Sequence, residues 1–380
     1  VGSCPCRTVP QWGGSRSTRS AASSGSRFPR GRKLQLGVRL KTRGSGVTQG
    51  INGGMGVKVS ILMITYNHEK YLAQALDSVL EQEVDFDYEI VVGEDNSSDG
   101  TGRILEEYRK RFPEKIRIVT SASNVGMHHN FIRTYRACVG EYVALLEGDD
   151  YWTSPRKLKM QVDFLDSHPD YVTCFHAVDI YSDMVDRVID RVRAAEGDKA
   201  FTIDDIVSEN VVPTCSAVFR NGMIAEFPEW LWGLRMLDWP VHILNAHAGP
   251  LMYLDQAMAM YRVHPNGVWN QSHEEAQVKA IIGALDLFME HFSPKFGAKL
   301  RAAREKRRFQ LLEYYAGRGK VEPALVLLHE LQESGDPQIA PLLPGIEKKL
   351  ARSHFYRLAH RWEQARFLTK KVRKRLRGAL

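Results

Sequence analysis

The chain contains no run of about 18 consecutive apolar residues, the length a helix needs to cross a bilayer, so no membrane-spanning helix is expected. Its first 30 residues hold no apolar core segment of the kind a secretory signal carries. Cysteine is sparse. Five are present, Cys4, Cys6, Cys138, Cys174 and Cys215, and no C-x-x-C pair occurs. The last three stand far apart in apolar surroundings, which points to buried free thiols in a reducing cytoplasm rather than to disulfides or a thiolate metal site. No G-x-x-x-x-G-K or G-x-G-x-x-G loop follows a predicted strand, which argues against a P-loop or a dinucleotide-binding fold. Acid is missing altogether from residues 1–56, which carry ten Lys and Arg.

What is there is globular: 380 residues, 43% hydrophobic and 26% charged, enough for two domains and a sizeable core. The net charge of +7 is unevenly spread. Residues 351–380 add ten Lys and Arg against one acid, Glu363, which leaves residues 57–350 at −12. A nucleic-acid enzyme keeps its positive charge on the folded surface near its site, so nucleic acid is not expected as a partner. Residues 1–54 are rich in Gly, Ser, Arg and Thr without hydrophobic periodicity. The expectation is a disordered leader over 1–56 that is not native, with the true start at Met55. An Arg-rich transit peptide is the rival reading.

From Val57 the texture changes. Val57–Ile64 is a β-branched, nearly continuous apolar run, as in a strand buried on both faces of a parallel sheet. A helix over His68–Gln82 follows, with Leu72, Ala75, Leu76, Val79 and Leu80 on one face. Tyr88–Val92 reads as a second strand, Gly100–Phe112 as a helix, Ile116–Thr120 as a third strand, Met127–Cys138 as a helix and Tyr142–Leu146 as a fourth strand. This alternation predicts an α/β fold, doubly wound, with a mainly parallel sheet and flanking helices. Ligands in such sheets sit beyond the carboxyl ends of the strands.

Those ends are polar: Thr65-Tyr66-Asn67, then Glu94-Asp95-Asn96-Ser97-Ser98-Asp99-Gly100-Thr101, then Asn124-Val125-Gly126, then Glu147-Gly148-Asp149-Asp150. The last two are expected to flank one another. Each piece has a plainer reading, the second as a helix cap and turn, the fourth as a turn into the next helix. Carboxylates gathered at a strand end repel one another unless a cation neutralises them. Their co-occurrence points to a hard divalent cation, Mg2+ or Mn2+.

VSILMITYNHEKYLAQALDSVLEQ, EIVVGEDNSSDGT, NVGMHHNF and GEYVALLEGDDYW, in this order and spacing, resemble glycosyltransferase family 2, whose fold is GT-A; the likeness runs through about Val57–His264. The resemblance implies a nucleotide-diphospho-sugar donor of UDP or dTDP type. Thr65, Tyr66 and Asn67 would line the nucleotide pocket, Asp95 would hydrogen-bond the base, and Asn124 and Gly126 would belong to the donor site. Glu147-Gly148-Asp149 stands at the DXD position, with Asp149 the metal contact and Glu in place of the commoner first Asp. Asp238, in Leu237-Asp238-Trp239-Pro240, matches the usual position of the catalytic base of inverting members; its plainer reading is a helix-capping acid. His264, closing Tyr261-Arg262-Val263-His264, would be a second metal contact or a structural histidine. His128 and His129, adjacent at a helix start, point apart and are not expected to form a metal pair. Trp230, Trp232 and Trp239 gather on the acceptor side, where they stack on sugars or fill core.

Residues 271–380 read as an all-α C-terminal arm after a GT-A domain at 57–270. Leu311–Gly317 with Ala324–Leu331 looks like a single, imperfect helical hairpin of tetratricopeptide type. At 352–380 apolar positions, Trp362 among them, recur at helical spacing between ten Lys and Arg. Such a helix either docks on an anionic membrane surface or packs its apolar face on the protein. The functional expectation is a metal-dependent, inverting glycosyltransferase, either free in the cytoplasm or peripheral to the inner face of the membrane, acting on a glycan or lipid-linked acceptor in surface-polysaccharide or glycolipid synthesis. The rivals are a sugar-phosphate nucleotidyltransferase, which would want a basic triphosphate loop, and an inactive sugar-nucleotide-binding scaffold.

Overall fold

The computed structural model describes residues 56–351 except Val268 and residues 270–272. The expected leader up to residue 55 and the expected basic helix at 352–380 lie outside the described residues. The described chain divides into two compact units. The first runs to His264 and includes residues 210–232 and 237–264; the second takes residues 207–209, 233–236 and those from Pro265 on.

In the first unit the strands are β1 (Val59–Thr65), β2 (Tyr88–Glu94), β3 (Ile116–Val119), β4 (Tyr142–Glu147), β5 (Tyr151–Trp152), β6 (Thr173–Ser182), β7 (Arg187–Val192), β8 (Lys199–Phe201), β9 (Val218–Arg220) and β10 (Leu251–Val263). The helices are α1 (Leu72–Leu80), α2 (Thr101–Arg111), α3 (Met127–Ala137), α4 (Lys157–Ser167), α5 (Ile203–Ile206) and α6 (Asp238–Ala246). One sheet runs β3-β2-β1-β4-β9-β6-β10-β5, with β7 paired to β6 and β8 to β10. The strands from β3 to β4 pair in parallel, as expected from the strand–helix alternation. Beyond β4 the sheet is mixed: β9 is antiparallel to β4 and β6, whereas β10 and β6 are parallel.

β1 lies between β2 and β4, so six of its seven residues are buried; its apolar run serves both faces at once. The expectation that the third and fourth strand ends adjoin fails, because β3 is the outer neighbour of β2 and the chain returns to the far side of β1 for β4. The order of connection therefore reverses between β1 and β4, which is where a crevice opens in sheets of this type. α1 packs Leu72, Ala75, Leu76 and Val79 into the core with Ile61, Ile90 and Leu146. It begins at Leu72 rather than His68, because the amides of His68 and Glu69 donate to the Thr101 hydroxyl and the Asp99 carboxylate and are taken by the neighbouring loop. Cys138, Cys174 and Cys215 are buried free thiols.

In the second unit the 44-residue α7 (Glu274–Gly317), which contains Pro294, turns through Arg318–Lys320 into α8 (Val321–Ser334), and α9 (Leu343–Ala351) closes a core built on Leu312, Ala324, Leu328, Leu331 and Leu343. No helix among the described residues is long and apolar enough to cross a membrane.

Candidate active site

Register brings the loops together. Thr65 is paired with Glu94 across β1 and β2, and Ile64 with Glu147 across β1 and β4, so three acidic or polar loops leave the sheet side by side. The first two are cross-stapled. Asn67 accepts the Ser98 amide at 2.8 Å while its own amide donates to the Ser97 hydroxyl at 3.0 Å. Glu69 accepts the Gly100 amide at 2.7 Å, and the Glu69 amide donates to Asp99. Asn67 and Asn96 take left-handed φ values of 57° and 58°, a conformation Asn tolerates better than most side chains. Asp99 also accepts the Thr101 amide at 3.0 Å at the head of α2, so the cap-and-turn reading holds for part of this loop.

Asp95 is buried. Its amide donates to the Thr65 carbonyl, and its carboxylate accepts the amides of Val125 and Gly126, each at 2.9 Å. The Arg133 guanidinium stands 3.6 Å away. Each carboxylate oxygen keeps a second lone pair after these contacts. Gly126 adopts φ 84° before α3 and also donates to Asn124 Oδ1 at 3.1 Å. Tyr66 is 45% exposed at the mouth of the first loop.

The turn after β4 lies against the end of β1. Its Gly148 amide donates to the Ile64 carbonyl, and a Cβ at Gly148 would come within 2.7 Å of Thr65 Oγ1 and 3.0 Å of His68 Nδ1. Only glycine permits this approach. Asp149 Oδ2 then sits 3.1 Å from His264 Nε2 and 3.6 Å from His68 Nε2. Burial pushes the Asp149 carboxyl up, but the His68 and His264 imidazoles more than offset this, and it lies below its ordinary value. Glu147 is pushed well up, first by burial and then by repulsion from Asp150, Asp149 and Asp238. Burial and Asp149 likewise raise Asp150. Asp238, the first residue of α6, accepts Asn210 Nδ2 at 2.7 Å, and burial raises its carboxyl.

The structure thus gathers Thr65, Glu147, Asp149 and His264, with Asp238 near enough to repel Glu147. It ties Asp95, Asn124 and Gly126 into a second group joined to Thr65 through the backbone. Two residues were not singled out from the sequence. His68 lay within the TYNHEKY segment, but its nearness to Asp149 depends on β1 and β4 being neighbours. Arg262 donates to the Asp149 carbonyl and Asp183 Oδ1, both at 3.0 Å, and to Gln74 Oε1 at 2.5 Å; its amide donates to Asp150 Oδ1 at 2.8 Å. Trp239 is core, its indole N–H donating to the Ile206 carbonyl, whereas Trp232 is 46% exposed. His128 and His129 do not point fully apart: both rings lie near Trp232, their centroids 6.0 and 4.3 Å from it. No group of three or more His, Cys, Asp or Glu among the described residues is disposed as a metal cluster.

A mainly parallel sheet reversing at β1/β4, with a carboxylate-bearing turn at the reversal, is the GT-A fold. A crystal structure of Staphylococcus aureus TarS, residues 1–349, in complex with UDP-GlcNAc superposes with a TM-score of 0.57 at 19% identity, over 81% of this chain and 92% of that one. Residues 60–223 match the family model "Glycosyl transferase family 2". An uncharacterized protein of Mycobacterium tuberculosis is 35% identical over 224 residues, 57% of this chain and 62% of its own length, so the match spans less than two thirds of that relative. The dTDP-rhamnosyl transferase RfbG of Shigella flexneri is 28% identical over 218 residues, 54% of this chain and 72% of its own length.

Proposed function

We propose that the protein is an inverting glycosyltransferase, its catalytic domain at 57–270, that moves a sugar from a UDP- or dTDP-type donor to a hydroxyl of a glycan or lipid-linked acceptor. The observation that carries this reading is the placement of Asp149 between His264 and His68, beside Glu147 and Asp238, at the reversal of the sheet. The donor RfbG is named for, and the UDP-GlcNAc held by TarS, support a pyrimidine nucleotide.

In this reading Thr65, Tyr66 and Asn67 flank the nucleotide, and Asp95 addresses the base with its remaining lone pairs. Asn124 and Gly126 shape the donor loop. Glu147 lies close to the ribose side of the acidic turn. Asp149 and His264 offer a carboxylate oxygen and an imidazole nitrogen 3.1 Å apart, a donor pair that suits Mn2+ and, through the carboxylate, Mg2+. Two protein ligands would suffice if diphosphate oxygens completed the shell, so this pair fits a divalent ion although no three-residue cluster occurs among the described residues. When bound, the ion would stabilise the negative charge that grows on the diphosphate.

The chain's own part of the chemistry falls to Asp238. Its carboxylate accepts the proton of the acceptor hydroxyl as that oxygen bonds to the anomeric carbon. The bond from that carbon to the diphosphate oxygen breaks, and its electron pair leaves with the nucleoside diphosphate. Attack from the side opposite the leaving group inverts the centre. Burial raises Asp238, which makes it a stronger base. Asn210 orients one of its oxygens, and the Trp239 backbone amide also steadies the carboxylate.

The test is calorimetric titration of UDP and dTDP with and without Mn2+, followed by a donor panel scored for nucleotide release. Asp238→Asn should bind nucleotide as the parent does and lose transfer by about 10²–10⁴-fold. Full turnover by that variant refutes the assignment of the base, and binding of nucleotide without turnover on any donor favours a scaffold. The reading also puts the enzyme at the cytoplasmic membrane face. Equal sedimentation of the full chain and of residues 1–350 with anionic liposomes would count against that.

A further inference from the structure

A cavity of about 470 Å³ in the first unit is lined by Val125, Gly126, Met127, His128, His129 and Trp232. Its volume falls within the roughly 300–1,000 Å³ of small-molecule sites. Three features of its wall are unusual for a bare surface. Trp232 is 46% exposed. His129 stacks on it, ring centroids 4.3 Å apart and planes at 25°, which holds the indole in one orientation. His128 also lines the cavity, and its Nε2 is buried without a hydrogen-bond partner. A buried, unpartnered ring nitrogen costs stability unless something completes it. Burial and then the neighbouring His129 hold the His128 imidazole below its ordinary value, so at neutral pH it is uncharged and presents either a donor or an acceptor.

A flat aromatic face beside one neutral polar group suits a ligand with an apolar C–H face and hydroxyls at its edge. It suits neither a phosphate, which wants cations, nor an extended apolar chain, which would leave His128 unpaired. Val125 and Gly126 also line the cavity, and their amides are spent on Asp95, so this wall adjoins the proposed donor side without repeating its contacts.

We propose that the Trp232–His129 stack and His128 form a subsite for one pyranose ring, the ring lying on the indole and a ring hydroxyl pairing with His128 Nε2. The proposal rests on the glycosyltransferase reading only for the source of the ring, which is the donor's own sugar or a sugar of the acceptor. The aromatic face and the hydroxyl partner are common to both.

The experiment compares the full chain with Trp232→Ala, Trp232→Phe and His128→Ala, each checked for a parent-like circular dichroism spectrum and melting temperature. Saturation-transfer NMR with the methyl glycosides of glucose, N-acetylglucosamine, mannose and rhamnose reads a free ring. Calorimetry with UDP, UDP-GlcNAc, dTDP and dTDP-rhamnose reads a donor ring. If the ring is the acceptor's, Trp232→Ala loses the methyl-glycoside signal and Trp232→Phe retains most of it. If it is the donor's, Trp232→Ala weakens a nucleotide-sugar at least five-fold while the matching free nucleotide binds within two-fold of the parent. His128→Ala should follow Trp232→Ala in either arm. Parent-like binding of every glycoside and nucleotide-sugar by Trp232→Ala overturns the subsite, as does a parent that responds to none of them. Failure of the parent to bind any free nucleotide instead strikes the glycosyltransferase reading, and a glycoside signal that still depends on Trp232 would leave the subsite standing.

Discussion

Arg262 offers the sharpest test of how the acidic turn is held. It is 8% exposed, and its guanidinium joins three otherwise separate pieces: the Asp149 carbonyl, the Asp183 carboxylate and the Gln74 side chain. The rings of Tyr71, Tyr151 and Tyr181 lie 4.9, 5.2 and 5.6 Å from it, which keeps water away and strengthens each contact. Arg262→Lys keeps the charge, but an ammonium cannot span the three acceptors that the planar fork reaches. Losing two charge-assisted hydrogen bonds, at about 1.5–3 kcal/mol each, should destabilise the turn by about 3 kcal/mol or more. That corresponds to faster opening of residues 147–152 by about a hundred-fold, read by native-state amide exchange. A double-mutant cycle with Asp183→Asn isolates one bond, and coupling of about 1.5 kcal/mol is expected for this half-buried pair. Exchange within three-fold of the parent, together with additivity in the cycle, would refute the view that this arginine fixes the turn.

Gly148→Ala should cost about 1–3 kcal/mol by overpacking, since the new Cβ meets Thr65 Oγ1 at 2.7 Å and Thr65 Cβ at 2.9 Å; Thr65→Ala in the same chain should recover only part, and a denaturation midpoint like the parent's for Gly148→Ala would count against the close approach. Lys157 is fully buried, its Nζ has no hydrogen-bond partner and stands 4.0 Å over the Trp152 ring, and burial lowers its ammonium from 10.5 to about 7. The folded value lies below the unfolded one, so the penalty is full below about pH 7 and declines as pH rises toward 10.5, where the unfolded chain also loses its proton. Lys157→Met should therefore be more stable than the parent at pH 6, with the gap narrowing by pH 9; a gap that does not change with pH in urea unfolding would show that the lysine is not the cause.

The parts of the molecule readable from sequence are those whose signals are local. β1 announced itself by a nearly continuous apolar run because both its faces are covered, and α1 by the spacing of Leu72, Ala75, Leu76 and Val79. The mixed half of the sheet, from β6 to β10, was not foreseen. β7 is exposed along most of its length and β10 shifts register twice against β6, so neither keeps a clean alternation. The acidic turn was legible as composition, but its partners were not. Arg262 meets Asp149 and Asp150 from 113 and 112 positions away, and His68 meets Asp149 only because β4 returns to the far side of β1. Long-range pairing of this kind leaves no periodic trace.

The stapling of the first two loops bears on attempts to re-engineer this end of the sheet. Asn67, His68 and Glu69 on one side and Ser97, Ser98, Asp99, Gly100 and Thr101 on the other exchange amides and acceptors in both directions. Grafting either loop from a relative would strand the other's hydrogen-bonding groups at a site that is partly closed to water. The unit that has to be exchanged intact here is the pair, and a library that varies one loop while freezing the other would mostly sample misfitted halves.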